Sequence, residues 1–295
     1  MYVATLVAAP AGPDLAMDAV AAVAEALGAR PDAADWLDEA KACDLPLPGP
    51  ADAASRERAA GIAATHGFDC VVQEAAGRRK RFLIADMDST MIEQECIDEL
   101  AAVLGLKDQV AAITARAMNG EIDFEPALRE RVALLAGLPE STIEAVIAER
   151  ITLMPGGRTL VATMRAKGAH TALVSGGFTA FTGPIAAMIG FHETRANILH
   201  GRDGTLTGTV AEPILGAAAK VDALDQISTR LGLTPADALA VGDGANDLPM
   251  LLAAGTGIAC HAKPSVAARA PHRVDHGDLT ALLFVQGYRR SDFVD

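Results

Sequence analysis

A doubly wound α/β domain with a parallel sheet, carrying a helical cap and preceded by a small α+β unit, is the fold class that this 295-residue sequence predicts. Three observations predict it. Short apolar runs recur at 82–86, 173–177, 238–244 and 256–260, with helical stretches between them. Apolar strands that alternate with helices build a parallel sheet covered on both faces. Residues 93–152 break that alternation, reading as helical throughout. Residues 2–75 follow a different rhythm, with extended and helical segments in an approximate β-α-β-α-β order.

In chain order, residues 2–9 read as a first strand. The apolar start lacks a basic leader segment and is broken by Pro10 and Pro13, so a strand is expected rather than a signal peptide. Residues 15–28 read as a helix ending at Gly28, 33–47 as one extended segment, 51–66 as a helix stopped by Gly67, and 68–75 as a strand. The basic stretch Arg78–Arg81 reads as a solvated connection to the second unit. The boundaries are therefore 1–80 for the small unit and 81–295 for the larger one, with the cap inserted at about 93–152. Helices are expected at 157–168, 179–190, 216–232 and 246–254, between the later strands.

Composition narrows the function. The chain is 51% hydrophobic and 21% charged, as in ordinary globular proteins, and its net charge is −13. That balance argues against binding nucleic acid or an anionic membrane. No apolar run approaches the ~18 residues of a membrane span. The cysteines Cys43, Cys70, Cys96 and Cys260 form no close pair, which argues against zinc and for reduced thiols in the cytoplasm.

Four short motifs fall at the C-terminal ends of the expected strands or between them, where open α/β sheets bind ligands. In Asp86-Met87-Asp88-Ser89-Thr90, an extended backbone points Asp86 and Asp88 the same way. Two close carboxylates call for a cation or a shared proton, and Mg²⁺, which favours oxygen ligands and retains waters, suits them. Alone, the motif also fits a strand end followed by a turn. Gly242-Asp243-Gly244-Ala245-Asn246-Asp247 offers further carboxylates on a glycine-rich turn, which by itself is common. Ser175-Gly176-Gly177 offers a hydroxyl and backbone N–H groups of the kind that hold phosphate oxygens. Lys220, taken singly, reads as a solvated charge on an alanine-rich helix.

In this order the four motifs resemble the haloacid dehalogenase-like superfamily. MDSTMIEQECIDELA, RAMNGEIDFEPALRERVALL, VSGGFTAFT, DGTLTGTV and VGDGANDLPMLLAAG resemble its phosphoserine phosphatases over residues 82–285. Residues 1–80 are similar in layout to the ACT-like region that precedes some of these enzymes. The resemblance implies hydrolysis of O-phospho-L-serine, the last step of serine biosynthesis, through an aspartyl-phosphate with Mg²⁺ as cofactor. It implies Asp86 as nucleophile and Asp88 as general acid and base. It implies Mg²⁺ held by Asp86, the Asp88 backbone carbonyl and Asp243, and phosphoryl oxygens held by Ser175, Gly176 and Lys220. Asn246 and Asp247 then support Lys220 and the metal's water. Glu95 would meet the substrate ammonium and Arg131 its carboxylate, while Met118 and Phe124 would close over it.

Other readings share parts of this pattern. A dehalogenase would leave Asp88 without work, and a transporting ATPase would need membrane spans. A related phosphatase or phosphotransferase, or a serine-sensing protein without catalysis, fits the same motifs. A homodimer is compatible with the sequence, and the role of residues 1–80 is open.

Overall fold

The computed structural model describes residues 1–118 and 121–295. The chain begins with β1 (Tyr2–Ala8), α1 (Met17–Leu27), β2 (Asp35–Asp38), β3 (Ala42–Leu47), α2 (Ala53–Thr65) and β4 (Phe68–Glu74). The strands form an antiparallel sheet in the order β2-β3-β1-β4. The expected single extended segment at 33–47 is thus two strands folded back through a turn at Ala40, whose φ is 56°. Asp-rich β2 has only four residues, Asp35-Trp36-Leu37-Asp38, too few for their alternation to stand out from a loop.

Both faces of this sheet are covered. Ala4, Leu6 and Ala8 of β1 pack with Val20, Val23 and Leu27 of α1. On the other face Val7, Leu37, Ala42 and Val71 join the core of the second unit. The period of two along β1 therefore divides its side chains between two apolar cores. Polar contacts stitch the seam. Asp69 accepts the backbone N–H groups of Asp275, His276 and Gly277 at 2.7, 3.2 and 2.7 Å. Gln73 Nε2 donates to the Val285 carbonyl at 2.7 Å. Asp69→Ala would leave those three N–H groups without their acceptor, and a loss of about 2–4 kcal/mol in unfolding free energy is expected. Denaturant melts of the two proteins measure it; a change below about 0.5 kcal/mol, the size of an ordinary surface substitution, would mean that another group holds the 275–277 turn.

The second unit runs β5 (Phe82–Ala85), α3 (Cys96–Val103), α4 (Lys107–Met118), α5 (Phe124–Ala133), α6 (Ser141–Arg150), α7 (Gly157–Ala166), β6 (His170–Phe178), α8 (Thr179–Ile189) and β7 (Glu193–Asn197). It continues with β8 (Leu199–Arg202), β9 (Thr205–Val210), α9 (Ala217–Arg230), β10 (Ala238–Gly242), α10 (Leu248–Ala253), β11 (Thr256–Cys260), α11 (Pro264–Ala267), β12 (His272–Val274) and α12 (Ala281–Val285). Six strands form a parallel sheet in the order β12-β11-β10-β5-β6-β7. The doubly wound expectation holds, with two more strands than the four apolar runs announced. The additions are the edges β7, sequence ETRAN, and β12, sequence HRV, which are short and partly polar because an edge strand is open to solvent.

The order in which strands are added switches sides between β5 and β10, so their parallel C-terminal ends leave a crevice there. Above it lie α3 to α6, tied at their base by the bridge between Ile92 and Leu153. The helical cap is joined by the antiparallel β8–β9 hairpin, which lies outside the expected 93–152. Gly137 N–H donates to the Leu206 carbonyl and Leu206 N–H to the Leu138 carbonyl, each at 2.8 Å. No described helix is long and apolar enough to cross a membrane.

Candidate active site

The crevice is built from the ends of two adjacent strands. Asp86 follows β5, and its N–H donates to the Val241 carbonyl of β10 at 3.0 Å. The chain then turns tightly, with the N–H groups of Thr90, Met91 and Ile92 all aimed at the Met87 carbonyl. The turn carries Thr90 Oγ1 to 3.0 Å from Asp243 Oδ1, locking the first motif to the residue after β10. A Cβ on Gly242 would lie 2.4 Å from Asp247 Cγ, so only glycine lets Asp247 fold back beneath the strand end. Asp247 Oδ2 accepts Gly244 N–H at 2.9 Å, and Oδ1 stands 2.5 Å from Lys220 Nζ.

Lys220 is fully buried and is no solvated helix residue. Its Nζ also forms an ion pair with Asp86 Oδ1 at 2.7 Å. Carboxylate oxygens of Asp86, Asp243 and Asp247 lie within 4.8 Å of one another. Asp88 stands apart from that cluster. Its Oδ2 would be 3.3 Å from a Cβ on Gly177, and its Oδ1 is buried without a hydrogen-bond partner among the described residues.

The charge arithmetic is unfavourable as it stands. Burial, with Asp247 adding to it, raises Asp86 well above the ordinary carboxylate range against the pull of Lys220. Burial, Asp247 and Glu95 push Asp243 up to about 6. Burial and then Glu95 push Asp88 up to about 7, against the Cys96 N–H and thiol. Burial works to lower the Lys220 ammonium, but Asp247 and Asp86 outweigh it and hold Lys220 above the usual lysine value. One ammonium cannot neutralise this many carboxylates in a low-dielectric crevice. An oxygen-only donor set of three carboxylates crowded around one ammonium fits a hard divalent cation.

Beside the carboxylates, the end of β6 forms a loop in which Gly177 N–H donates to Ser175 Oγ at 2.9 Å. Ser175 is buried, and its Oγ and Asp88 Oδ2 would lie 3.1 and 3.3 Å from a Cβ on Gly177. A Cβ on Gly176 would touch Phe124 Cζ at 3.4 Å and Asn246 Nδ2 at 3.9 Å. A Cβ on Gly216, just before α9, would touch the same ring at 3.4 Å. Phe124, the first residue of α5, is thereby seated from the cap onto two glycines of the core. A cleft of about 810 Å³ between α5 and α9 is lined in part by this ring. Its lining includes none of Asp86, Asp88, Asp243 and Asp247, so it is not the carboxylate site.

Glu95 and Arg131 face the same region from the cap. Glu95 occupies the residue before α3 and accepts a hydrogen bond from Ser89 Oγ at 2.9 Å. Arg131 is half-buried, and its Nε donates to the Ala127 carbonyl at 3.3 Å. Burial lowers the Arg131 guanidinium, while the fields of Asp98, Glu95 and Asp88 raise it. The expected role of Met118 rests on a side chain that lies outside what is described, although its backbone ends α4. Thr90 and Asn197 were not singled out from sequence. Thr90 stands inside the DMDST motif, whereas nothing local in sequence marks Asn197.

The family model for haloacid dehalogenase-like hydrolases matches residues 83–252. The phosphoserine phosphatase SerB2 of Mycobacterium tuberculosis is 42% identical over 233 residues, covering 78% of this chain and 57% of the relative. The chain therefore matches little more than half the length of that protein. A haloacid dehalogenase family hydrolase from Salmonella enterica serovar Typhi superposes with a TM-score of 0.87 at 31% identity, covering 97% of this chain and 98% of the other. The structure of a phospho-aspartyl intermediate analogue of phosphoserine phosphatase gives a TM-score of 0.65 at 38% identity, covering 70% of this chain and 98% of the other.

Proposed function

The chain belongs to the haloacid dehalogenase-like hydrolase family, and from that premise we propose that it is a Mg²⁺-dependent phosphatase that releases serine and phosphate from O-phospho-L-serine, the last step of serine biosynthesis. The observation that carries the substrate is the pair of opposite charges, Arg131 and Glu95, presented from the cap within electrostatic reach of Asp88. A phosphate ester bearing both a carboxylate and an ammonium meets complementary charges there. The names of the relatives support the same substrate.

In this reading Asp86 attacks phosphorus, its Oδ–P bond forming as the bond from phosphorus to the serine oxygen breaks. Asp88 delivers its proton to that leaving oxygen, and its raised affinity for a proton near pH 7 suits the task. Asp88 then takes a proton from the water that attacks phosphorus, which returns Asp86 and frees phosphate. Lys220, Ser175 and the Gly176 N–H hold the phosphoryl oxygens, and Asn246 and Asp247 keep Lys220 in place. Asp86, Asp243 and the Asp88 backbone carbonyl would hold Mg²⁺, which when bound supplies positive charge to the phosphoryl oxygens and offsets the carboxylates. Phe124, with Met118, excludes water during the first displacement.

We further propose that residues 1–80 form an ACT-like domain and 81–295 the phosphatase domain, with the cap inserted at about 93–152. The separate four-stranded sheet and its own apolar cluster support that division. Four free cysteines support a cytoplasmic location.

Arg131→Ala tests the substrate. A guanidinium fork on a carboxylate is charge-assisted at both bonds, so kcat/KM for O-phosphoserine is expected to fall by roughly 10²-fold or more. p-Nitrophenyl phosphate has no carboxylate, and its hydrolysis is expected to change by less than about tenfold. Arg131→Lys is expected to recover only part of the loss, since an ammonium lacks the fork. Equal losses on both esters would reassign Arg131 to support of the cap.

A further inference from the structure

Asn197 ends β7 at the outer edge of the parallel sheet and contributes no group to the carboxylate cluster, yet it is 3% exposed and fully bonded. Its Nδ2 donates to the Gly176 carbonyl at 2.8 Å and to the Leu215 carbonyl at 3.2 Å. Its Oδ1 accepts the Leu215 N–H at 2.7 Å. One carboxamide thus spans two segments distant in sequence, the glycine stretch at the end of β6 and the turn that leads into α9. Only an amide has donors on one arm and an acceptor on the other, so no other side chain of this size satisfies all three groups.

Both bridged segments carry parts of the phosphoryl site. Gly176 is next to Ser175, and Leu215 precedes Gly216, the N-terminal cap of α9, on which Lys220 is carried one turn later. Lys220 N–H donates back to the Gly216 carbonyl, so the placement of Gly216 is passed to the helix bearing the ammonium. Phe124 of the cap lies against Gly176 and Gly216 together, which makes a seat only if these two glycines keep a fixed separation.

We infer that Asn197 is a positioning residue of the phosphoryl site, which joins the Gly176 loop to the start of α9 so that Ser175, the Gly176 N–H and Lys220 converge on one set of oxygens and Phe124 closes on them. The inference rests on the phosphatase reading above. It concerns the end of the substrate common to all phosphate esters, not the serine end. Its signature is therefore the opposite of that expected for Arg131.

Asn197→Asp keeps the size and the acceptor but places an oxygen against the two carbonyls. Asn197→Ser removes the carboxamide without adding charge. With Mg²⁺ present, both are assayed on O-phosphoserine and on p-nitrophenyl phosphate, with inorganic phosphate as a competitive inhibitor and rates normalised to the folded fraction from thermal melts. The expected result is a fall in kcat of about 10²-fold on both esters alike, as misplacement of reacting groups by an ångström produces, with weaker inhibition by phosphate. A residue that only stabilises the fold would reduce the folded fraction and leave kcat per folded molecule intact. A kcat within about threefold of wild type on both esters in either variant, or a loss confined to O-phosphoserine, would overturn the inference. Wild-type enzyme that cleaves p-nitrophenyl phosphate but not O-phosphoserine would refute the substrate reading alone, and the Asn197 comparison would still be read on the first ester.

Discussion

Asp86→Asn is expected to lower turnover of O-phosphoserine by roughly 10⁴-fold or more while leaving the protein folded. The amide is nearly the same size as the carboxylate, and Lys220 keeps its contact with Asp247. What disappears is the proposed nucleophile. A neutral amide oxygen attacks phosphorus poorly, and no other described carboxylate combines contact with Lys220 and a place directly after β5. The same substitution has a second expected effect of opposite sign. Asp86 is held well above the ordinary carboxylate range by burial and by Asp247, so its ionised form opposes folding. In metal-free protein, removal of that charge is expected to leave the melting temperature unchanged or higher. Steady-state rates and a thermal melt on one preparation read both effects. Turnover near that of wild type would end the covalent account; a collapsed melt would mean that Asp86 holds the fold rather than performing chemistry.

Removal of divalent metal is the second large effect. Asp86, Asp243 and Asp247 bring three carboxylates together around one lysine, and the substrate phosphate adds further negative charge. A bound Mg²⁺ contributes several kcal/mol of charge stabilisation in such a site. Chelation is therefore expected to lower kcat/KM by about 10³-fold or more, with recovery on adding Mg²⁺. A readout independent of turnover is available, because a ligand of the native state raises the melting temperature as its concentration rises. Mg²⁺ is expected to do so for the wild type and not for Asp243→Asn. Full activity in metal-free protein would mean that Lys220 alone supplies the positive charge.

Much of this site was legible in the sequence because its parts are local. Each of DMDST, SGG and GDGAND directly follows a short apolar run, and a parallel strand with a ligand-bearing end has that form. Lys220 was legible only through its place in the series, since its burial between Asp86 and Asp247 depends on the folding back of α9. Glu95 and Arg131 came with the family resemblance; nothing in their helical spacing separates them from solvated charges. What sequence reasoning missed is tertiary. Strands β7 and β12 are sheet edges with few apolar residues, and the Asp35–Asp38 strand is too short to show its period. The β8–β9 hairpin belongs with the cap through backbone bonds to residues 137 and 138, which no local pattern announces. Asn197 and Asp69 act entirely on backbone groups far along the chain, Leu215 and Asp275–Gly277, and their neighbours in sequence carry no sign of it.

The claim that joins fold, carboxylates and lysine is that a phosphoryl group passes from phosphoserine to Asp86. The direct measurement is an acid quench of Mg²⁺-loaded enzyme turning over O-phosphoserine labelled at phosphorus, followed by peptide mapping. The account predicts an acid-stable, base-labile label of at most one phosphoryl group per chain, confined to the peptide containing Asp86 and absent from Asp86→Asn. Label on another residue, or continued turnover with no label trapped at any quench time, would contradict it.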